Sequence, residues 1–263
     1  MKTRYGKTPK LGQHFLNNPV VARVLVEAAG IAPNDTIVEI GPGTGALTKE
    51  LLKTGAHVLA LEKDSALVEK LSTAFAPEIA SGHLTVREQD VRDFLPDNAG
   101  LAAGYILAAN IPYYITGEII RQFLTAHVQP RTIALLIQKE VAERIVARDE
   151  KESILSLSVK VYGTPRLVRK VSAGNFTPPP SVDSAILAIT DISKDAFKEI
   201  SEDKFFTVVR AGFAAKRKVL RSNLSRIFHS NQVRAAMQQS TVSENARAED
   251  IRITQWLELA KHL

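Results

Sequence analysis

The chain has 263 residues, 45% of them hydrophobic and 24% charged, with a net charge of +6 and no cysteine. That length buries a full core and suits one large domain or one and a half. The missing cysteine excludes disulfides, zinc-thiolate sites and thiol nucleophiles, and apolar runs as short as Ile133–Ile137 exclude a helical membrane span.

In chain order, the pattern predicts a helix over Pro19–Ala29 ended by Gly30, then a strand Thr36–Ile40 running into Gly41-Pro42-Gly43-Thr44-Gly45. A helix Ala46–Lys53 follows, then a strand His57–Leu61 ending in Glu62, a helix Ser65–Phe75 and a strand His83–Glu88. The apolar run Tyr105–Ala109 reads as a buried parallel strand leading into Asn110-Ile111-Pro112-Tyr113. Next come a helix Gly117–Ala126, a strand Thr132–Gln138 and a helix Lys139–Arg148. This alternation predicts an α/β fold with a doubly wound, Rossmann-like parallel sheet. Beyond Lys151, Ile154–Tyr162, Arg166–Val171 and Ser184–Thr190 read as edge strands, with Phe176-Thr177-Pro178-Pro179-Pro180-Ser181 as a stiff extended loop. A charged stretch near Asp191 marks a boundary, giving a domain 1–192 and a small all-α domain 193–263. The latter's helices are expected over 204–215, 218–228, 232–239 and 249–261, with Trp256 and Leu257 in its core.

Charge is distributed unevenly. From Lys204 to Ser243 there are eight Lys or Arg and no acid, and from Met1 to Val26 five and no acid. Basic residues at positions 2, 4, 7 and 10 without an apolar stretch do not read as a secretory signal, so the cytoplasm is the expected location. Two acid-free basic blocks point to a polyanionic partner.

A glycine-rich turn after the first strand lets a ligand approach backbone where a Cβ would clash. Glu62, seventeen positions past Gly45, sits where an acid accepts bonds from ribose hydroxyls. The spacing Gly41-x-Gly43-x-Gly45 is not the G-x-G-x-x-G that seats a pyrophosphate. Glu39, just before the loop, suits a cationic ligand, and Gln89-Asp90 after the third strand suits an adenine amino group. These features fit S-adenosylmethionine, which has an ammonium, a sulfonium and no phosphate. The Asn110 carbonyl and the next backbone carbonyl can accept both N–H bonds of an aromatic amine. Pro112 fixes the turn there, and Tyr113 can stack on the base.

At these residues the sequence resembles the small-subunit ribosomal RNA adenine dimethyltransferases of the KsgA/RsmA family. The resemblance runs through Gly12-Gln13-His14-Phe15-Leu16, Glu39 to Gly45, Glu62, Asp90, Asn110 to Tyr113, Phe176 to Ser184, and Phe213 to Leu220. It implies a class I methyltransferase that transfers methyl groups from S-adenosylmethionine to N6 of two adjacent adenosines. These would lie in the 3′-terminal hairpin of 16S rRNA, within the immature 30S subunit. It also implies cofactor contacts at His14, Leu16, Gly41, Glu62, Asp90 and Asn110, and Gln13, Glu39 and Gly43 are further candidates for cofactor binding. His14 and Tyr114 depart from a pattern that has Asn at both places.

The expected mechanism holds the target amine on Asn110 and the Ile111 carbonyl, with the extruded base between Tyr113 and Phe176. Lys216, Arg217, Lys218 and Arg221 are the candidates for phosphate binding; no metal site is expected, and a monomer is the default. Competing readings are a 23S rRNA adenine methyltransferase of the antibiotic-resistance type, a nicotinamide dehydrogenase and a non-catalytic ribosome assembly factor. The dehydrogenase lacks its glycine fingerprint, and the Phe176-to-Ser184 stretch with the C-terminal helices favours the small-subunit enzyme.

Overall fold

A computed structural model describes residues 14–263. Gln13 and the basic residues Lys2, Arg4, Lys7 and Lys10 lie outside the described residues.

The described chain packs as two compact units. One runs to Ala142 and takes up Arg166–Ile189; the other comprises Glu143–Pro165 and Thr190–Leu263. The expected single cut at 192/193 therefore misses an excursion, since Glu143–Pro165 packs with the C-terminal residues.

In the first unit, β1 (Phe15–Leu16) makes a two-residue antiparallel ladder with β8 (Phe176–Thr177). The main sheet holds β2 (Thr36–Ile40), β3 (His57–Glu62), β4 (Leu84–Glu88), β5 (Ile106–Asn110), β6 (Thr132–Gln138), β7 (Thr164–Val171) and β9 (Ser184–Thr190) in the order β4-β3-β2-β5-β6-β9-β7. Strands β4 to β6 in this order pair in parallel, and β9 pairs antiparallel with β6. The continuous apolar runs explain the centre of the sheet. Ile106–Ala109 and Ile133–Ile137 are wholly buried, as strands covered on both faces must be. Order reverses between β2 and β5, and the carboxyl ends of strands at such a switch point form a ligand crevice.

Local sequence chemistry sets the first helix. Asn18 caps Pro19–Ala29 by accepting from the Val20 amide at 2.9 Å, Pro19 opens it, and Gly30 closes it at φ +61°. A side-chain cap of this kind contributes about 1 kcal/mol.

Ile154–Tyr162 does not form the expected strand. Ile154–Lys160 is a helix, although its residues alternate apolar and polar with the period of a strand. Ser153 and Ser156 cap its start reciprocally, Oγ to N at 3.1 Å and N to Oγ at 2.7 Å. Ser156 is fully buried, satisfied by the Glu152 carboxylate at 2.6 Å, so the polar half of the alternation is not a solvent face. Burial does not follow the alternation, since apolar Ile154 is exposed and polar Ser156 buried, and the strand inference fails for that reason.

The second unit adds the helices Glu202–Gly212, Leu220–Leu224, Ser230–Gln239 and Ile253–His262. Ser201 caps the first of these, with Glu202 and Asp203 in its first turn and Arg210 in its last, matching the helix dipole. Trp256 is fully buried and stacks on Phe213 at 5.6 Å, while Leu257 is only half-buried. A Cβ on Gly212 would lie 2.3 Å from the Trp256 ring, so only glycine fits there. No helix among the described residues is long and apolar enough to cross a membrane.

Candidate active site

The loops leaving β2, β3, β4 and β5, together with β1, line one cavity of about 130 Å³. His14, Leu16, Glu39, Gly41, Gly43, Glu62, Asp90, Asn110 and Tyr113 all contribute to its wall. Residues far apart in sequence converge here because parallel strands deliver their carboxyl ends to one edge.

Glu39 sits in β2 with 1% of its surface exposed. Thr48 donates to its Oε2 at 2.7 Å, and Oε1 has no partner among the described residues. Burial pushes the carboxyl up to about 8, against the Thr48 hydrogen bond and with the help of nearby Glu62. A buried acceptor without a donor is a costly group that a cation would relieve.

The glycine turn is built for close approach. Gly41 has φ +61° and open space where a Cβ would stand; Gly43 has φ +59°, and a Cβ there would meet the Phe15 ring at 3.0 Å. Glu62 closes the turn from β3. It accepts from the Gly43 amide at 3.1 Å with Oε2, and from the Lys63 and Asp64 amides at 2.9 and 3.0 Å with Oε1. Three of about four acceptor sites on this carboxylate are thereby used. Its orientation is fixed by backbone, and one lone pair is left for a hydroxyl.

Asp90 accepts from Lys63 at 2.8 Å and from the Arg92 guanidinium at 2.6 Å. The Arg92 fork is the main reason its carboxyl lies far below the usual range. Asp90 reaches the cavity as expected, but its oxygens are engaged by two cations rather than open to an adenine amino group.

Asn110 ends β5. Its Nδ2 donates to the His14 carbonyl at 3.0 Å. A backbone carbonyl can only accept, so this bond fixes which end of the amide is nitrogen. The Asn110 Oδ1 accepts no hydrogen bond from the described residues, and Asn110 lines the cavity. Tyr113 opens the 3₁₀ turn Tyr113–Ile115; its hydroxyl pairs with Ser184 Oγ at 2.7 Å, and its ring stacks on His14 at 6.0 Å. Desolvation raises the Tyr113 phenol above its ordinary value. His14 in turn bonds the Pro178 carbonyl through Nδ1 at 2.7 Å.

Phe176 is not where the sequence reading puts it. It is 3% exposed, belongs to the hydrophobic core and does not line the cavity. Its β8 register opposite Leu16 turns the ring inward, making it a core anchor. His14, not Phe176, is the ring packed against Tyr113 here.

Lys216, Arg217 and Lys218 lie in the second unit, exposed in the turn between Glu202–Gly212 and Leu220–Leu224. Arg221 is half-buried and paired with Glu244 at 3.0 Å. Sequence reasoning missed Thr48, Lys63, Arg92 and Ser184, the partners that hold Glu39, Asp90 and Tyr113. Lys63 and Arg92 lie within two positions of named acids and were findable by position; Ser184, although inside the Phe176-to-Ser184 stretch, and Thr48 gave no sign of the groups they hold.

The wall fits S-adenosylmethionine. A buried carboxyl with one unpartnered oxygen suits its ammonium, the open face of Gly41 admits a close ligand, and Glu62 keeps an acceptor for a ribose hydroxyl. Among the described residues no cluster suited to a metal ion occurs.

The family model described as ribosomal RNA adenine dimethylase matches residues 5–263. The chain is 38% identical to Ribosomal RNA small subunit methyltransferase A of Dehalococcoides mccartyi, over 98% of this chain and 88% of that protein. It is 37% identical to the protein of that name from Fusobacterium nucleatum, over 96% of both chains. Among solved structures, a dimethyladenosine transferase from Plasmodium falciparum aligns with a TM-score of 0.77 at 26% identity, covering 94% of this chain and 96% of that one. The 23S rRNA methyltransferase ErmE aligns with a TM-score of 0.77 at 25% identity, covering 95% and 99%. This chain belongs to the ribosomal RNA adenine dimethylase family and is an S-adenosylmethionine-dependent rRNA methyltransferase.

Proposed function

We propose that the enzyme dimethylates N6 of two adjacent adenosines in the 3′-terminal hairpin of 16S rRNA, acting as a monomer on the immature 30S subunit in the cytoplasm. The observation that carries the reading is the tethered Asn110 amide in the cavity wall, whose nitrogen donates to His14 while its oxygen has no donor among the described residues.

When bound, S-adenosylmethionine supplies a methyl group already activated by its sulfonium. The chain's own task is orientation. The amino nitrogen of adenine is a poor nucleophile because its lone pair is delocalised into the ring. Asn110 Oδ1 and the Ile111 carbonyl accept its two N–H bonds and so favour a pyramidal nitrogen with a directed lone pair. Tyr113, held at both its ring and its hydroxyl, offers a preset face for the extruded base. No buried base is needed, because the methylated amine loses its proton to water. Glu39, Gly41, Gly43, Glu62, Leu16 and His14 are assigned to donor binding, with Asp90 poised by Lys63 and Arg92. Lys216, Arg217 and Lys218 bind phosphates and position the RNA without choosing sequence.

Curated relatives at 37–38% identity carry the small-subunit name, which favours 16S over 23S rRNA. The test is incubation with labelled S-adenosylmethionine and undermethylated small subunits, read by nucleoside mass spectrometry. Dimethyladenosine in 16S rRNA is the expected product; label confined to 23S rRNA would overturn the assignment.

A further inference from the structure

Tyr113 and Tyr114 are consecutive in one 3₁₀ turn, yet their rings have different fates. Tyr113 is half-buried and tied to Ser184. Tyr114 lines the same cavity with 67% of its surface exposed, and no described group hydrogen-bonds its phenol. A 3₁₀ turn rotates about 120° per residue, so neighbouring rings diverge. One ring is thereby committed inside the pocket and the other is presented at its rim. Arg92 lines the same cavity. A large ring left in water does little for folding but offers a stacking face to a base.

We propose that Tyr114 is a base-stacking residue: its exposed ring at the cavity mouth takes the nucleotide beside the one held in the pocket, giving a preference for a purine at that position. The inference rests on the adenine reading above and adds to it a stacking partner for the flanking base. With two adjacent target adenosines, the ring would retain one while the other is modified.

Wild type, Tyr114→Phe and Tyr114→Ala are compared on undermethylated small subunits and on an RNA hairpin carrying 2-aminopurine beside the target. Tyr114→Ala should raise KM about 10-fold, with kcat little changed and the 2-aminopurine quench abolished. Tyr114→Phe should behave as wild type. S-adenosylhomocysteine affinity should be equal in all three, as expected of an intact fold. Wild-type KM and quench in Tyr114→Ala would overturn the proposal, and so would a Tyr114→Phe variant as impaired as Tyr114→Ala, since the hydroxyl would then be the acting group. If wild type methylates another RNA and not the small subunit, the substrate reading fails, while the quench comparison still decides the role of Tyr114.

Discussion

The Asn110 side-chain nitrogen donates to the His14 carbonyl at 3.0 Å across 96 positions of sequence. This single bond converts a symmetric-looking amide into a directed acceptor. Asn110→Ala removes the acceptor, and Asn110→Asp removes the donor that His14 requires, so both should lose most of their activity. Turnover is expected to fall about 100-fold in both, a typical cost of misplacing a reacting group. RNA affinity, measured by filter binding, should change far less. Comparable losses in turnover and affinity would contradict the assigned role.

Glu39 should write a pH dependence into stability. Its carboxyl has an ordinary value of 4.5 and is pushed up to about 8 by burial. Between those values the native state holds a proton that the unfolded chain has released. Stability from this group is therefore present below 4.5 and lost as pH rises through about 8. Glu39→Gln cannot titrate. Its stability relative to wild type should climb by on the order of a few kcal/mol from about pH 5 to about pH 8 and then level off. Urea melts of both proteins across that range check this, and a constant gap would mean that Glu39 is ionised when folded.

Gly43 faces two obstacles to any side chain: φ +59° and the Phe15 ring 3.0 Å from the Cβ position. Gly43→Ala should lose about 1–3 kcal/mol of stability from backbone conformation alone. It should also weaken S-adenosylhomocysteine binding, read by calorimetry. Adding Phe15→Leu should relieve the steric clash but not the backbone strain, so recovery should be partial. Full recovery would show that the clash is the whole effect.

Lys216, Arg217 and Lys218 are exposed in one turn, whereas Arg221 is paired with Glu244 at 3.0 Å. For a single-stranded RNA, each phosphate that a cation no longer neutralises should flatten the salt dependence of affinity by about 0.7 in logarithmic slope. Replacing the first three with Gln should flatten it by roughly 2. Arg221→Gln should have a smaller effect, because its charge is already compensated. An unchanged slope in the triple variant would remove this turn from the RNA-binding surface.

Much of the first unit was legible because its signals are local. Thr132–Gln138, Pro19–Ala29 and Ser184–Thr190 fall where periodicity puts them, since continuous apolar runs and caps act within a few residues. The glycine turn, Glu39, Glu62, Asp90, Asn110 and Tyr113 were legible as chemistry attached to strand ends. In the second unit, Ile154–Lys160 reads as a strand by its alternation, although the reciprocal Ser153–Ser156 cap and the buried Ser156 belong to a helix.

The sequence by itself determined which chemical groups leave the strand ends and in what order, because side-chain identity and strand periodicity are written locally. Only the tertiary structure decided what each group faces. Phe176 turned into the core, Asp90 met Lys63 and Arg92, Glu62 was claimed by backbone amides, and Asn110 was aimed by His14. Three of those partners lie 19 to 96 positions away. Hydrogen bonding at that separation follows from how strands are ordered in the sheet, which no window of neighbouring residues encodes.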